Sequence, residues 1–408
     1  MSEFSGIPVP FILFGLTLLG VALLHRHTLE VALTGLSVIL AHALIFGGLD
    51  LAVHLRHEWV TLANLLGLLI GFTILADCFH RSRAPEMLPR FLPGGYWGAF
   101  SLLVLIFILS SFLDNIAAAM IGGTIAGTVF QRKVHLGYLA AIVAASNAGG
   151  SGSVIGDTTT TMMWIDGVSP FDVLHAYAGA IVALLVVAGI ASAQQTRHAP
   201  IVAASAPGSK IDWAHLGIVA FVMVVAVVTN FVMNTRFKEH AGSFPFLAFA
   251  VAGALALCAP IRSPNWPLLP PAIRGSLFLL ALVFAASLMP VHELPLPSWR
   301  STLGLGFVSA VFDNIPLTKL ALSQGGYDWG ALAYCVGFGG SMVWFGSSAG
   351  VAISNLFPEA RSAGRWLKEG WHVIAAFVIG FLALQAIFGW NPPPPHKAPP
   401  TLTTTPPH

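Results

Sequence analysis

Charge is scarce in this chain. Asp, Glu, Lys and Arg make up only 9% of its 408 residues, against about 25% in an ordinary soluble domain. A soluble protein of this length cannot cover its surface with so few charges. The 56% apolar content agrees, and the expectation is an all-α polytopic membrane protein whose first partner is the lipid bilayer. A net charge of +2 provides no basic patch able to neutralise phosphates, so no nucleic acid is expected as a partner. Cysteine is nearly missing as well. Cys78, Cys258 and Cys335 are odd in number and scattered, which excludes a disulfide-built secreted domain. No basic region precedes the first apolar segment and no cleavage site follows it, so that segment is expected to be a retained helix.

Glycine (41) and proline (27) are abundant, and both are tolerated in membrane helices better than in soluble ones. A spanning helix needs roughly 20 mostly apolar residues. Ten such stretches are found, at about 7–24, 29–54, 59–78, 136–165, 171–192, 213–234, 245–260, 273–290, 329–356 and 370–390. Two more apolar stretches, 97–130 and 301–325, carry Asp-Asn at their centres, Asp114-Asn115 and Asp313-Asn314. They read as re-entrant hairpins that return to the side they came from. Residues 193–212 read as a cytoplasmic linker. The proline-rich end, 391–408, reads as an extended tail with no packed core.

Counting the hairpins as non-spanning divides the loops into two sets. One holds 13 basic residues: Arg26, Arg81, Arg83, Arg90, Arg132, Lys133, Arg197, Lys210, Arg262, Arg274, Arg361, Arg365 and Lys368. The other holds Arg56, Arg236, Lys238, Arg300 and Lys397. The positive-inside tendency places the first set in the cytoplasm and both termini outside; the expected location is a bacterial inner membrane, with both termini periplasmic.

Two short patterns recur in the same order. Ser110-Ser-Phe-Leu-Asp114-Asn-Ile returns as Ser309-Ala-Val-Phe-Asp313-Asn-Ile. Gly149-Gly-Ser-Gly-Ser-Val-Ile-Gly156-Asp returns as Gly339-Gly-Ser-Met-Val-Trp-Phe-Gly346-Ser. Each half (1–192 and 213–390) then has five spans, and an odd number turns the second half upside down. Inverted repeats with interrupted helices are typical of secondary transporters, which bind substrate near the membrane midplane. In hydrocarbon, irregular backbone survives only where it is buried in protein or lines a cavity. The glycine runs around Gly150 and Gly340 would break their helices there. Freed carbonyls, exposed amides and the hydroxyls of Ser151, Ser153, Thr158 to Thr161, Ser341, Ser347 and Ser348 would line the break.

Asp114, Asp157 and Asp313 lie deep in apolar sequence, where each costs roughly 2.5–3.5 kcal/mol on insertion scales. Their bland role is capping a half-helix or a hairpin tip; their functional role is ion binding. Lys319 follows Asp313 by six residues and is either a coupling charge or a side chain that snorkels along a hairpin arm. Three acids, one lysine and no arginine suit a small hard cation or protons better than an anion. Gly123-Thr-Ile-Ala-Gly127 reads as close helix packing. An enzyme is not expected: no zinc-protease motif occurs. Gly156-Asp157 and Tyr327-Asp328 only superficially resemble the paired aspartates of intramembrane proteases.

The runs Leu109-Ser-Ser-Phe-Leu-Asp-Asn-Ile-Ala-Ala-Ala-Met-Ile-Gly-Gly, Ser146-Asn-Ala-Gly-Gly-Ser-Gly-Ser-Val-Ile-Gly-Asp-Thr-Thr-Thr-Thr and Phe312-Asp-Asn-Ile-Pro-Leu closely resemble NhaD-type sodium/proton antiporters. That family belongs to the wider ion-transporter superfamily, with citrate, dicarboxylate and arsenite carriers. The likeness covers most of 97–167 and 305–356. It implies a mobile transport domain (97–192 and 297–390), a scaffold (7–78 and 213–290), elevator-like movement and a homodimer. It also implies a substrate and ion site at Asp114, Asn115, Asn147, Gly150, Ser151, Asp157, Thr158, Asp313, Asn314, Gly340, Ser341 and Ser347. Asp114, Asp157 and Asp313 would be the metal-binding acids and Lys319 the coupling charge. Lys319 is a departure from a plain sodium site. The expected activity is exchange of sodium or lithium for protons without a resident cofactor. The alternative is a proton- or sodium-coupled carrier of an organic anion such as citrate, or of arsenite.

Overall fold

The computed structural model describes residues 3–4, 7–24, 27–87, 92–154, 156–201 and 210–393. The tail from 394 onward, residues 202–209 of the linker, and Arg26, Arg90 and Lys397 of the charge comparison lie outside the described residues. Apart from a two-residue antiparallel ladder, Glu3–Phe4 with Ile7–Pro8, the described residues form helices and their connections. The first half comprises α1 (Val9–Leu23), α2 (Thr28–Phe46), α3 (Leu51–Arg81), α4 (Ala84–Met87), α5 (Gly95–Ser110), α6 (Asn115–Val129), α7 (Leu136–Ser151), α8 (Thr158–Ile165), α9 (Pro170–Leu174) and α10 (Ala176–His198). The second comprises α11 (Trp213–Arg236), α12 (Lys238–Ala241), α13 (Phe246–Cys258), α14 (Leu269–Ser287), α15 (Trp299–Ser309), α16 (Asn314–Gln324), α17 (Trp329–Gly339), α18 (Ser348–Leu356), α19 (Ala363–Glu369) and α20 (Trp371–Phe388).

Among the described residues, six helical stretches are long and apolar enough to cross a membrane: Thr28–Phe46, Leu51–Arg81, Pro170–His198, Trp213–Met233, Trp266–Ser287 and Trp371–Phe388. The expected spans 29–54 and 59–78 are divided elsewhere. Gly47 and Gly48, the latter at φ 63°, end α2. Asp50 then starts α3 by accepting from the amides of Ala52 and Val53 at 3.0 and 3.1 Å. Residues 55–58, left between the two expected spans, are therefore helical, and α3 extends for about 46 Å at 1.5 Å per residue. The stretches 136–165 and 329–356, expected to break at their glycine runs, are each two helices with a break there.

Both Asp-Asn stretches fold as paired helices whose ends meet. For α5–α6, Tyr96 Oη donates to the carbonyl of Gly189 (3.3 Å) and Gln195 Nε2 donates to that of Lys133 (3.0 Å). Both ends thus lie beside the C-terminal part of α10, while Phe107 near the tip packs on Tyr177 at the start of α10. For α15–α16, Gln324 Nε2 donates to the Pro295 carbonyl at 2.8 Å. Trp299 and Phe307 pack successively on Phe381 and Phe377 of α20. The helices α10 and α20 pack antiparallel: His175 meets Phe388 at one end, and Gln194 Nε2 donates to the Glu369 carbonyl at the other. The two hairpins therefore open toward opposite ends of the molecule.

Other pairings correspond between the halves. The pair α5–α7 matches α15–α17, and α1–α2 matches α11–α13; α6 packs on α18 as α16 packs on α8, and α2 on α14 as α13 on α3. The Gly123–Gly127 pattern is indeed a close contact, against Ile353 and Phe357. Every residue of α7 and of α17 is buried. A helix that is apolar on every face belongs in the middle of a large assembly, and small residues let its neighbours approach closely. These two helices come in from opposite ends and stop where they meet. A separate apolar cluster joins α1, α2 and α14 through Phe14, Leu18, Ile39 and Leu282.

Candidate functional site

The breaks in α7 and α17 are built alike. Gly149 lies against the carbonyl of Phe107, and Gly339 against that of Gly306; a Cβ at either position would collide with backbone. The requirement for glycine thus comes from the close approach of a hairpin arm. Beyond each break, a side chain caps the next half-helix. Asp157 accepts from the Thr159 amide at 3.3 Å and Ser347 from the Gly350 amide at 3.3 Å. The first hairpin tip is tied to the break: Ser111 Oγ donates to the Gly149 carbonyl (3.0 Å), and Ser153 Oγ to the Ser111 carbonyl (2.7 Å).

The two tips converge on one carboxylate. Asn115 Nδ2 reaches Asp157 Oδ1 at 3.3 Å, and Asn314 Nδ2 reaches Asp157 Oδ2 at 3.5 Å. Thr158 Oγ1 also donates to Oδ1 at 3.3 Å. Asn115 Nδ2 donates further to Asn147 Oδ1 (3.1 Å). Asn147 Nδ2 in turn reaches Ser341 Oγ (2.9 Å) and Ser347 Oγ (3.2 Å) across the two halves. Asp157 is 1% exposed, and every side-chain donor on it is neutral. A buried carboxylate without a cation beside it is costly; here dipoles alone hold it. Opposite Asp157 stands Gly337, where a Cβ would sit 3.3 Å from Oδ2. Its bare backbone lets α17 approach the carboxylate closely.

Of the residues singled out in the sequence, Asn115, Asn147, Asp157, Thr158, Asn314, Ser341 and Ser347 form this network. Gly150 and Gly340 abut it, each against the carbonyl of the glycine six residues on and the side chain after it. Ser151 is buried beside Gly337 and turns its hydroxyl to the Ala148 carbonyl at 2.8 Å. Asp114 and Asp313 stand at the starts of α6 and α16 instead. Asp313 accepts from the Ile315 amide (3.0 Å) and from Ser348 Oγ (3.4 Å), while Asp114 Oδ1 is buried with no hydrogen-bond partner among the described residues. Among the described residues, no three His, Cys, Asp or Glu side chains gather into a metal-holding group, so the three acids are not arranged as a shared cage.

The surroundings of those outer acids differ. A cavity of about 230 Å³ reaches Asp313, Ser347 and Ser348, walled by Leu18 and Val21 of α1 and Phe278 and Leu282 of α14. The counterpart at Asp114, between Phe72 and Leu75 of α3 and Met223 of α11, holds only about 10 Å³.

Lys319 is elsewhere. Its Nζ lies 2.8 and 3.0 Å from the carboxylate oxygens of Glu58 on α3, and both side chains are buried. Glu58 was missed because its neighbours read as an inter-helix loop. Only the continuation of α3 through 51–58 brings it to α16, and nothing in its own sequence pattern signals that. Asp328 does not pair with Asp157. It caps α17 at the Ala331 amide (2.9 Å) and binds His175 Nε2 (2.7 Å), some 16 Å of helix away from the α17 break.

No family model matches the chain. The chain is similar to two proteins named as sodium/proton antiporters. "Sodium/proton antiporter 2" of Arabidopsis thaliana is 26% identical over 373 residues, covering 80% of this chain and 83% of that protein. "Sodium/proton antiporter 1" of the same plant is 27% identical over 283 residues, 61% of this chain and 49% of its own length, so the match spans about half of that relative.

Proposed function

We propose that the chain is a secondary active antiporter exchanging sodium or lithium for protons, with Asp157 as the carboxylate that both compete for. The observation that carries this reading is the Asp157 carboxylate itself, buried where four broken or re-entrant elements meet and held by neutral donors only. Carboxylate, amide and hydroxyl oxygens are the ligands a small hard cation takes. A buried carboxylate without a cation favours its protonated form, so loss of the metal invites a proton. The likeness to the two plant proteins supports the same class.

We further infer an inverted repeat. The antiparallel packing of α10 and α20, the opposed hairpins and the corresponding helix pairs support it. In this reading α5–α10 and α15–α20 move as a transport unit against α1–α3 and α11–α14. The unequal cavities at Asp313 and Asp114 then correspond to one side open and the other closed. Binding can favour reorientation only if the two states differ in affinity for the bound species. The 13 basic residues in one set of loops support a cytoplasmic position for that end. A homodimer joined through the scaffold belongs to the same proposal.

The organic-anion alternative is not favoured. Lys319, the cation such a carrier would use, is held by Glu58. Purified protein in liposomes with a trapped pH dye tests the choice. Under an imposed proton gradient, dequenching by sodium or lithium is the expected result. A signal only with citrate or arsenite overturns it.

A further inference from the structure

At one end of the scaffold, away from the crossing, lies a cavity of about 430 Å³ lined by Arg81, Arg83, Lys210, Asp212, Trp213 and Arg262. The end of α3, the start of α11 and the turn after α13 build it. The Asp212 amide donates to the Ser82 carbonyl at 2.9 Å, closing the start of α11 onto the end of α3. Arg81 Nη1 donates to the Ser263 carbonyl (3.2 Å), and Asn265 Nδ2 to Asp77 Oδ1 (3.3 Å), tying in the turn after α13. The charges do not cancel. Arg262 is paired with Asp212 at 3.0 Å, and Arg81 with Asp77 at 3.6 Å. Arg262 and His215 hold the Asp212 carboxyl far below the usual carboxylate range, so it stays ionised and committed to them. Arg83 and Lys210 have no acidic partner among the described residues.

We propose that this cavity binds the phosphate of an anionic phospholipid headgroup, with Arg83 and Lys210 as the main contacts. Its position selects the ligand. It opens where the spans α3 and α11 end, the level at which headgroups lie, and Trp213 at its rim is 71% exposed, as expected of an aromatic anchor at the membrane–water boundary. Basic pockets between transmembrane helices on the cytoplasmic side are suited to anionic headgroups, and all four cations belong to the loop set assigned to that face. A bound phosphate would link α3, α11 and α13, the part of the molecule that the antiport reading leaves stationary. The proposal rests on the membrane architecture and not on which ion is carried.

The test is a titration of the full chain in a neutral detergent with phosphatidylglycerol, phosphatidylcholine and inorganic phosphate, reading the thermal midpoint. Phosphatidylglycerol should raise the midpoint and phosphatidylcholine should not. In the double variant Arg83→Gln/Lys210→Gln the apparent affinity should fall about 30-fold, two basic contacts being lost, with the midpoint in detergent alone unchanged. If that variant is destabilised, Lys210→Arg against Lys210→Gln reads the same dependence, with the arginine retaining affinity. An equal response to inorganic phosphate, lost in the same variant, would assign the cavity to free phosphate and overturn the lipid source. An equal phosphatidylglycerol response in wild type and variant, or none in either, would overturn the proposal.

Discussion

The molecule buries charge in two contrasting ways. At the crossing, Asp157 is surrounded by amides and hydroxyls, with Asn115 and Asn314 reaching it from opposite hairpins. Between α3 and α16, Glu58 and Lys319 neutralise each other at 2.8 Å. A carboxylate held by dipoles can exchange its partner, since a cation or a proton adds charge compensation that the dipoles lack. A carboxylate already held by an ammonium gains little from either, and its attraction must first repay the desolvation of both groups. On the proposed reading, a buried carboxylate thus serves as a site in one place and as a joint in the other. The joint connects α16, which follows the Asp313-Asn314 tip, to α3.

The sharpest way to break this contrast is to neutralise Asp157. Asp157→Asn should abolish sodium-dependent exchange in liposomes while the thermal midpoint stays at or above that of wild type, because an unpaired buried charge has been removed. Exchange at the wild-type rate would remove Asp157 from the mechanism. The ion pair should behave in the opposite manner. Glu58→Gln or Lys319→Met alone should each cost about 3–5 kcal/mol of stability, and the double variant should recover most of it, because the cost comes from stranding one charge. Denaturation midpoints of the four proteins in detergent check this. Additive losses would show that the two groups do not act as a pair.

A smaller effect is expected opposite the carboxylate. Gly337→Ala places a methyl group 3.3 Å from Asp157 Oδ2. It should raise the half-saturating concentration several-fold for sodium and less for lithium, the smaller ion. An equal change for both would mean that the side of the carboxylate facing Gly337 is not where the ion sits. The smallest change should come from probing access. Ser348→Cys, at the cavity reaching Asp313, should react with a water-soluble thiol reagent. Ala117→Cys, beside the closed gap at Asp114, should be protected. The natural cysteines are all buried and give a low background. Equal labelling of the two would contradict one-sided access.

Much of the crossing was legible beforehand because its residue types are unusual for their surroundings. Polar groups and glycine runs inside apolar sequence are expensive, so Asn115, Asp157, Asn314, Ser341 and Ser347 stood out, and the recurring patterns tied them into two matched sets; Asn147 came only with the family resemblance. Their distribution was less legible. Asp114 and Asp157 read as equivalent acids, yet Asp157 follows a break in a wholly buried helix, while Asp114 stands at the start of a hairpin's return arm. The boundary between α2 and α3 was misplaced because a polar stretch, His54 to Glu58, looks the same in a loop as on a helix that continues beyond the apolar core.

The sequence by itself determined that this chain belongs in a membrane, that its apolar runs are helical, and which of them must break. Those properties follow from local costs: too few charges for a water-facing surface, apolar runs of spanning length, and glycine where backbones touch. Only the tertiary structure decided which acid stands at the crossing, that Lys319 belongs to Glu58, and that the cavities at Asp313 and Asp114 differ in size. Each of these depends on side chains distant in the sequence, up to 261 residues apart for the Glu58–Lys319 pair. No local pattern specifies such partners, because the energy that selects them arises only when the helices pack.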